Sequence, residues 1–320
     1  MTDTIVFQSG EKILADNLRE IKSLKSIQQN IFYTAEGAES FYQYRGPGII
    51  QINWRDEVQF FEKLKVLRAD SSTAFVSLGC GNGAPEKMLL QHLSRQGYRI
   101  DYFGVDSSEA MLKLASASLA DVRYNRRFFL ADFTHSTFKD ALTPYLQHYD
   151  TILYAFMGGT FGNFEQTHIA GVMRALVGTH DYFYLDIVPT GHTPEMNNAL
   201  KKRYADLPKN YRNFFARLLE KFALSEEHGH IISQEEEDLL LNALTCTFYF
   251  VPNLDKQISV LDEWVTITPN DRIKLMSIRA YHIPSLKEFL KSYNFNCIDD
   301  YIPNADRAPH LWQRLLFQKK

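Results

Sequence analysis

The chain has 320 residues, with 35 Lys and Arg against 38 Asp and Glu for a net charge of −3, and is 45% hydrophobic. That balance gives no basic footprint for nucleic acid and enough apolar residues to bury a large core, as one domain with an insertion or as two domains. Cys80, Cys246 and Cys297 are odd in number and show no ligand spacing, which argues for a reducing compartment and against a disulfide framework or a zinc site.

The opening Met1 to Phe7 lacks the basic and long apolar regions of a signal peptide, and no apolar run reaches membrane-spanning length. The expectation is therefore a cytoplasmic protein with no membrane partner. Residues 13–31 are predicted helical, and 34–44 continue into the turn Arg45-Gly46-Pro47-Gly48. Residues 1–60 thus read as an N-terminal helical cap.

From Phe75 to Pro189 apolar strands alternate with amphipathic helices, the pattern of a parallel, doubly wound α/β sheet over residues 61–190. Its first strand runs into Gly79-Cys80-Gly81-Asn82-Gly83 and then the helix-like Lys87 to Leu93. Glycine there lets the backbone turn tightly and lie against a ligand. The next strand ends in Val105-Asp106-Ser107-Ser108, about 20–25 residues after the glycines, where a carboxylate can accept hydrogen bonds from both hydroxyls of a ribose. The third ends in Phe128-Phe129-Leu130-Ala131-Asp132-Phe133. Each acid alone reads equally well as a strand-end or helix-capping residue; three signals in order at strand ends point to a nucleoside site.

The glycine spacing alone would suit a dinucleotide. However, the later glycine of G-x-G-x-x-G is absent, and Pro85-Glu86 opens the helix, where an acid would repel a pyrophosphate. S-adenosylmethionine carries no phosphate and has a cationic sulfonium and amino group, so acidic surroundings suit it better.

After Pro189 the character changes. A polar helical segment is predicted from Thr193 to about Phe222, the acidic stretch Gln234 to Asp238 follows, and its run Glu235 to Asp238 is read as a solvated helix end or loop. Stretches rich in β-formers follow at Thr245 to Val251, Gln257 to Thr268 and Ile273 to Tyr281. Residues 191–282 are expected to form an inserted α+β domain. The chain then returns to the first sheet over 283–320, through a helix at Ser285 to Tyr293 and strands around Cys297 to Tyr301 and Leu311 to Phe317. His228-Gly229-His230 has no further Cys or His nearby in ligand spacing, and no metal is expected.

The segment Tyr154-Ala155-Phe156-Met157-Gly158-Gly159-Thr160-Phe161-Gly162-Asn163-Phe164 closely resembles a loop of the histidine-specific methyltransferase family, which includes the ergothioneine-pathway histidine N-α-methyltransferase. Four further blocks are similar to family blocks in the same order: Phe32 to Phe41, Leu185-Asp186-Ile187-Val188, Arg212 to Leu219 and Ile273 to Tyr281. The resemblance implies a class I, Rossmann-like methyltransferase fold with S-adenosylmethionine as cofactor. It also implies that residues 1–60 contribute to the substrate site and that 191–282 form the substrate-binding domain.

Carried over by position, Gly79, Cys80, Gly81, Asp106 and Ser107 would hold the methionine and ribose parts of the cofactor. Asp132 and Phe133 would hold the adenine. Phe156, Met157 and Gly158 would line the methyl-transfer end, with Gly158 also facing the substrate. Tyr33 would hydrogen-bond a neutral amine beside the reacting centre, and Asn163 would grip the amino or carboxylate end of the acceptor. A side-chain amide can orient an amine lone pair without adding a charge that competes with the methyl cation.

One departure bears on specificity. The two family positions that bind the imidazole of histidine are Met276 and Ile278 here. An imidazole buried without those partners would cost about 1–3 kcal/mol for each, so the expected acceptor is a small amine or amino-acid-like molecule that is not histidine. O-methylation, methylation of a protein or peptide, and a non-catalytic S-adenosylmethionine-binding module remain the alternatives.

Overall fold

The computed structural model describes residues 4–7, 18–27, 67, 70–190, 198, 202, 212–260, 263–301 and 313–320. The elements of the first half are β1 (Thr4–Val6), β2 (Ser72–Leu78), α1 (Ala84–Arg95), β3 (Arg99–Asp106), α2 (Glu109–Ser118), β4 (Arg126–Leu130), α3 (Phe138–Leu146), β5 (Thr151–Phe156), α4 (Gln166–Leu176) and β6 (Tyr182–Pro189). The strands lie in the order β1-β4-β3-β2-β5-β6, and all five neighbouring pairs are parallel. The mixed α/β fold thus has the expected parallel central sheet.

Strands covered on both faces should be mostly apolar rather than alternating, and β2 and β5 are, with Ser72, Thr73 and Ser77 the exceptions in β2 and Thr151 in β5. Ala74, Val76 and Leu78 of β2 face a core built with α3, α4 and a later helix, through Phe138, Leu142, Ile169 and Met173. Phe75, between them, faces the opposite core with Leu89, Leu90 and Leu93 of α1 and Leu112 and Ala115 of α2. Burying side chains of this size on both faces contributes about 1.5–3 kcal/mol for each large one.

The second half contains α5 (Arg212–Glu220), β7 (Gly229–Asp238), β8 (Ala243–Pro252), β9 (Lys256–Val260), β10 (Glu263–Ile267), β11 (Ile273–Tyr281), α6 (Ile283–Ser292), β12 (Phe295–Tyr301) and β13 (Gln313–Lys319). The sheet forks at β6. Along Tyr182 to Ile187, β6 pairs antiparallel with β13, which in turn pairs with β12. Its last two residues, Val188 and Pro189, instead pair parallel with Ala280 and Tyr281 of β11. From β11 the order continues antiparallel through β8 to β7, while β9 and β10 form a separate hairpin. Strands β11, β8 and β7 therefore extend the first sheet, and Phe214, Phe215 and Leu218 of α5 pack with Cys246, Phe248, Phe250, Met276 and Ala280 in a cluster that also takes in Leu18, Ile21 and Ile27.

Two elements depart from the sequence expectations. The acidic run Glu235 to Asp238 lies in the second half of strand β7, not in a helix end or loop. Its Glu235 to Glu237 side chains are exposed, and charges on the last strand of a sheet oppose further edge pairing. At the N-terminus, Thr4 to Val6 add a short parallel strand beside β4, placing part of the expected cap on the far edge of the sheet. Of the helix expected over 13–31, residues 18–24 are helical, and the block Phe32 to Phe41 with Tyr33 lies outside the described residues.

Candidate functional site

The carboxyl ends of β2, β3, β4 and β5 converge on one edge of the sheet, where open α/β sheets bind their ligands. The glycine loop after β2 is tied down by the Gly79 and Cys80 amides, which donate to the Val105 carbonyl at 2.8 and 3.0 Å. Gly79, Gly81 and Gly83 have φ of 70°, 55° and 68°, a region that costs other residues strain. A Cβ on Gly79 would lie 2.7 Å from Thr160 Cγ2, whereas one on Gly81 would meet nothing within 4 Å. The first glycine lets two loops close; the second leaves room for a ligand.

Beside that space stands Asp106, buried at the end of β3. Its Oδ2 accepts from the Gly81 amide at 2.9 Å and its Oδ1 from the Ser108 amide at 2.9 Å. Burial pushes its carboxyl up to about 6, opposed by the amides of Gly81, Ser108 and Ser107. A carboxylate offers about four lone-pair sites and three amides face this one, so acceptor capacity remains for a ribose hydroxyl. Ser107 is half-buried next to it, and Ser108 caps α2 by accepting from the Met111 amide at 3.2 Å.

Glu86 differs from its sequence reading. It does not present charge at the opening of α1, because it is fully buried and its Oε1 accepts from Ser77 Oγ at 2.5 Å. Burial raises its carboxyl to about 7, with a smaller contribution from Asp106. Burial likewise pushes the Cys80 thiol up, with Asp106 and Glu86 adding to the effect. Cys80 is an inert wall of the loop rather than a nucleophile.

At the end of β4, Asp132 Oδ1 accepts from the Thr134 amide at 2.9 Å and from Thr134 Oγ1 at 2.6 Å. Phe133 is nearly buried, its ring 5.5 Å from that of Phe156 and 5.3 Å from that of Phe164. The Phe156 side chain turns away from the edge into the core against Phe161 and Phe183. What Phe156 can offer a ligand is its backbone, and Met157 is also buried.

The loop after β5 is shaped by Gly158 and Gly159, at φ of 65° and 80°. Their amides donate to Asp186 of β6, Gly158 to Oδ2 at 3.2 Å and Gly159 to the main-chain carbonyl at 3.1 Å. A single 3₁₀ turn, Thr160–Asn163, follows. Asn163 is half-buried on it. Among the described residues its carboxamide has no hydrogen-bond partner, in contrast to Gln166, which bonds the Phe161 and Phe164 carbonyls.

A Cβ on Gly162 would lie 3.7 Å from the Arg279 backbone, so the turn rests on β11 immediately beside Ile278. Met276 is 4% exposed, and it and half-buried Ile278 face the apolar cluster under α5. The structure thus gathers the glycine loop, Asp106, Asp132, Phe133 and the Asn163 turn along one edge. It also supplies two groups that the sequence reading did not single out, Arg279 and Gln166, which hold the turn. The only local signal for Arg279 was a cation inside a mostly apolar strand.

The open space at Gly81 and the spare acceptor capacity of Asp106 fit the adenosine of S-adenosylmethionine. Among solved structures the chain resembles an S-adenosylmethionine-dependent methyltransferase from Clostridium acetobutylicum ATCC 824, at 12% identity and TM-score 0.46 over 88% of this chain and 98% of that one. The PH0226 protein from Pyrococcus horikoshii OT3 follows at 14% identity and TM-score 0.44, over 88% and 98%. The glycopeptide N-methyltransferase MtfA in complex with S-adenosyl-L-homocysteine has 12% identity and TM-score 0.42, over 83% and 89%. No curated protein matches the sequence. The sequence model of the S-adenosylmethionine-dependent, histidine-specific methyltransferases matches residues 11–313, and the chain belongs to that family.

Proposed function

We propose that this methyltransferase acts on the nitrogen of a small amine or amino-acid-like acceptor other than histidine. The observation that carries this reading is the pair Met276 and Ile278, one 4% exposed and both packed in an apolar cluster. Ile278 can neither donate nor accept a hydrogen bond, and Met276 offers only a weakly accepting thioether. A site built to bond a polar group rejects analogues lacking it by about 10⁴-fold, while an apolar site discriminates by only about 10–200-fold. An acceptor with an apolar or aromatic side chain suits this surface.

In this reading Asp106 accepts from a ribose hydroxyl, Asp132 and Phe133 hold the adenine, and the backbone of Phe156 to Gly158 borders the reacting centre. When bound, S-adenosylmethionine supplies an electrophilic methyl group whose C–S bond breaks as the new N–C bond forms. Asn163 orients the amine, placing its lone pair in line at about 3 Å. The rings of Phe133 and Phe164, 5.3 Å apart, limit competing water. Tyr33 has the role of a second hydrogen-bonding group to the amine, on the resemblance alone. Residues 191–282 serve as the substrate-binding region and 1–60 as its cap.

The test is an acceptor screen with wild-type protein, S-adenosylmethionine and a panel of amino acids and amines. Release of S-adenosylhomocysteine is the readout, and mass spectrometry locates the methyl group. Turnover with apolar-side-chain amines and N-methylated product is the expected result; O-methylated product, or no turnover with any amine, would remove the proposal.

A further inference from the structure

Asn163 sits on a turn whose carbonyls are held from a distant strand. Arg279 of β11 donates through Nη1 to the Gly162 carbonyl at 3.0 Å and to the Phe164 carbonyl at 2.7 Å, the residues on either side of Asn163. The Phe164 carbonyl also accepts from Gln166 Nε2 at 2.9 Å. Gln166 Oε1 in turn accepts from the Tyr281 hydroxyl at 2.9 Å. Gln166 and Tyr281 are 2% and 1% exposed, so these bonds operate largely out of water.

Hydrogen bonds from a charged donor are shorter and about twice as strong as neutral ones, and Arg279 places one on each of the two residues that flank Asn163. The ring of Phe164 rests against Phe133, 5.3 Å away, on the side where the adenine is expected. The carboxylate of Glu165 caps α4 by accepting from the His168 amide at 2.9 Å; burial pushes it up, but the Thr167 hydroxyl and the His168 and Thr167 amides hold it below its ordinary range, with the Arg279 guanidinium the smallest contribution. The turn is thus pinned on the cofactor side by an aromatic contact and on the acceptor side by a cation. β11 itself carries Met276 and Ile278.

From this geometry we infer that Arg279 is a positioning residue, fixing Asn163 against the reacting centre and tying the acceptor strand to the cofactor half. The inference rests on the proposed role of Asn163, and its test separates the two. A misplacement of about 1 Å at such a centre costs on the order of 10²-fold in rate. Arg279→Ala should therefore lower kcat by about that factor while leaving the KM for S-adenosylmethionine and calorimetric affinity for S-adenosylhomocysteine within about twofold. Arg279→Lys, which keeps the charge, should recover part of the rate. Added guanidinium should raise the kcat of Arg279→Ala saturably and do nothing for Asn163→Ala.

Hydrogen–deuterium exchange on the S-adenosylhomocysteine complexes gives a readout that needs no turnover. In Arg279→Ala the peptide spanning residues 158–166 should exchange at least several-fold faster, with residues 76–90 unchanged. Unaltered exchange in 158–166 would overturn the inference whether or not an acceptor is found. So would wild-type kcat, or a rate loss matched by an equal loss of cofactor affinity without guanidinium rescue. If Asn163→Ala keeps full turnover while Arg279→Ala does not, the role of Asn163 fails and the clamp must act on another residue of the turn.

Discussion

Gly81 and Asp106 are separated by 25 residues in sequence and joined by one hydrogen bond of 2.9 Å, from the amide of the glycine loop to the carboxylate Oδ2. The bond aligns the two parts of the nucleoside site, the one that leaves space and the one that accepts. Asp106→Ala should abolish calorimetric binding of both S-adenosylmethionine and S-adenosylhomocysteine. Its Tm should remain within a few degrees of wild type, since a buried carboxyl is removed along with its bonds. Unchanged cofactor affinity would show that the ribose is held elsewhere.

Burial raises both Asp106, to about 6, and Glu86, to about 7. A carboxyl raised on folding stabilises the fold only while it stays protonated. The unfolded chain ionises first, near pH 4, so this stabilisation is lost as pH rises from about 4 to 7. For Glu86, raised from 4.5 to about 7, the loss is roughly 3 kcal/mol. Glu86→Gln, neutral at every pH, should gain Tm relative to wild type as pH goes from 5 to 8. A constant difference across that range would contradict the burial effect.

The same shift acts on binding with the opposite sign, because the ionised Asp106 is the better acceptor for a ribose hydroxyl. Affinity for S-adenosylhomocysteine should rise by about tenfold between pH 5 and 7. Calorimetry over that range checks it, and a flat profile would mean that Asp106 is ionised throughout or does not touch the ligand.

Asn163→Ala should spare cofactor affinity and remove at least about 10²-fold of methyl transfer. The carboxamide makes no bond to the described protein that its loss would break. Loss of cofactor binding together with activity would make Asn163 structural.

Met276→Glu with Ile278→Ser should raise the use of histidine relative to apolar amines, measured as a ratio of kcat/KM. The same change should lower Tm, because a carboxylate at a 4% exposed position within the apolar cluster must be paired or neutralised. A lower Tm with no change in acceptor preference would place these residues in the core alone.

The glycine loop and Asp106 were legible in the sequence because they answer local demands, a backbone at positive φ and an acid at a strand end. The parallel sheet was legible because strands covered on both faces must be mostly apolar. Glu86 was not, since its place in the first turn of α1 says nothing about whether it faces water or Ser77. The run Glu235 to Asp238 was misread because charge marks exposure, which an outer strand satisfies as well as a loop. Three residues, Thr4 to Val6, are too few to carry a strand signal. Arg279 reaches the Phe164 carbonyl across 115 positions, and no local pattern encodes such a contact.

The most direct test of the account is calorimetric titration of histidine into the wild-type complex with S-adenosylhomocysteine, compared with amino acids bearing apolar or aromatic side chains. The account predicts no saturable heat for histidine at concentrations where at least one apolar counterpart saturates. Saturable histidine binding at equal or lower concentration would contradict it, and would mean that groups other than Met276 and Ile278 receive the imidazole.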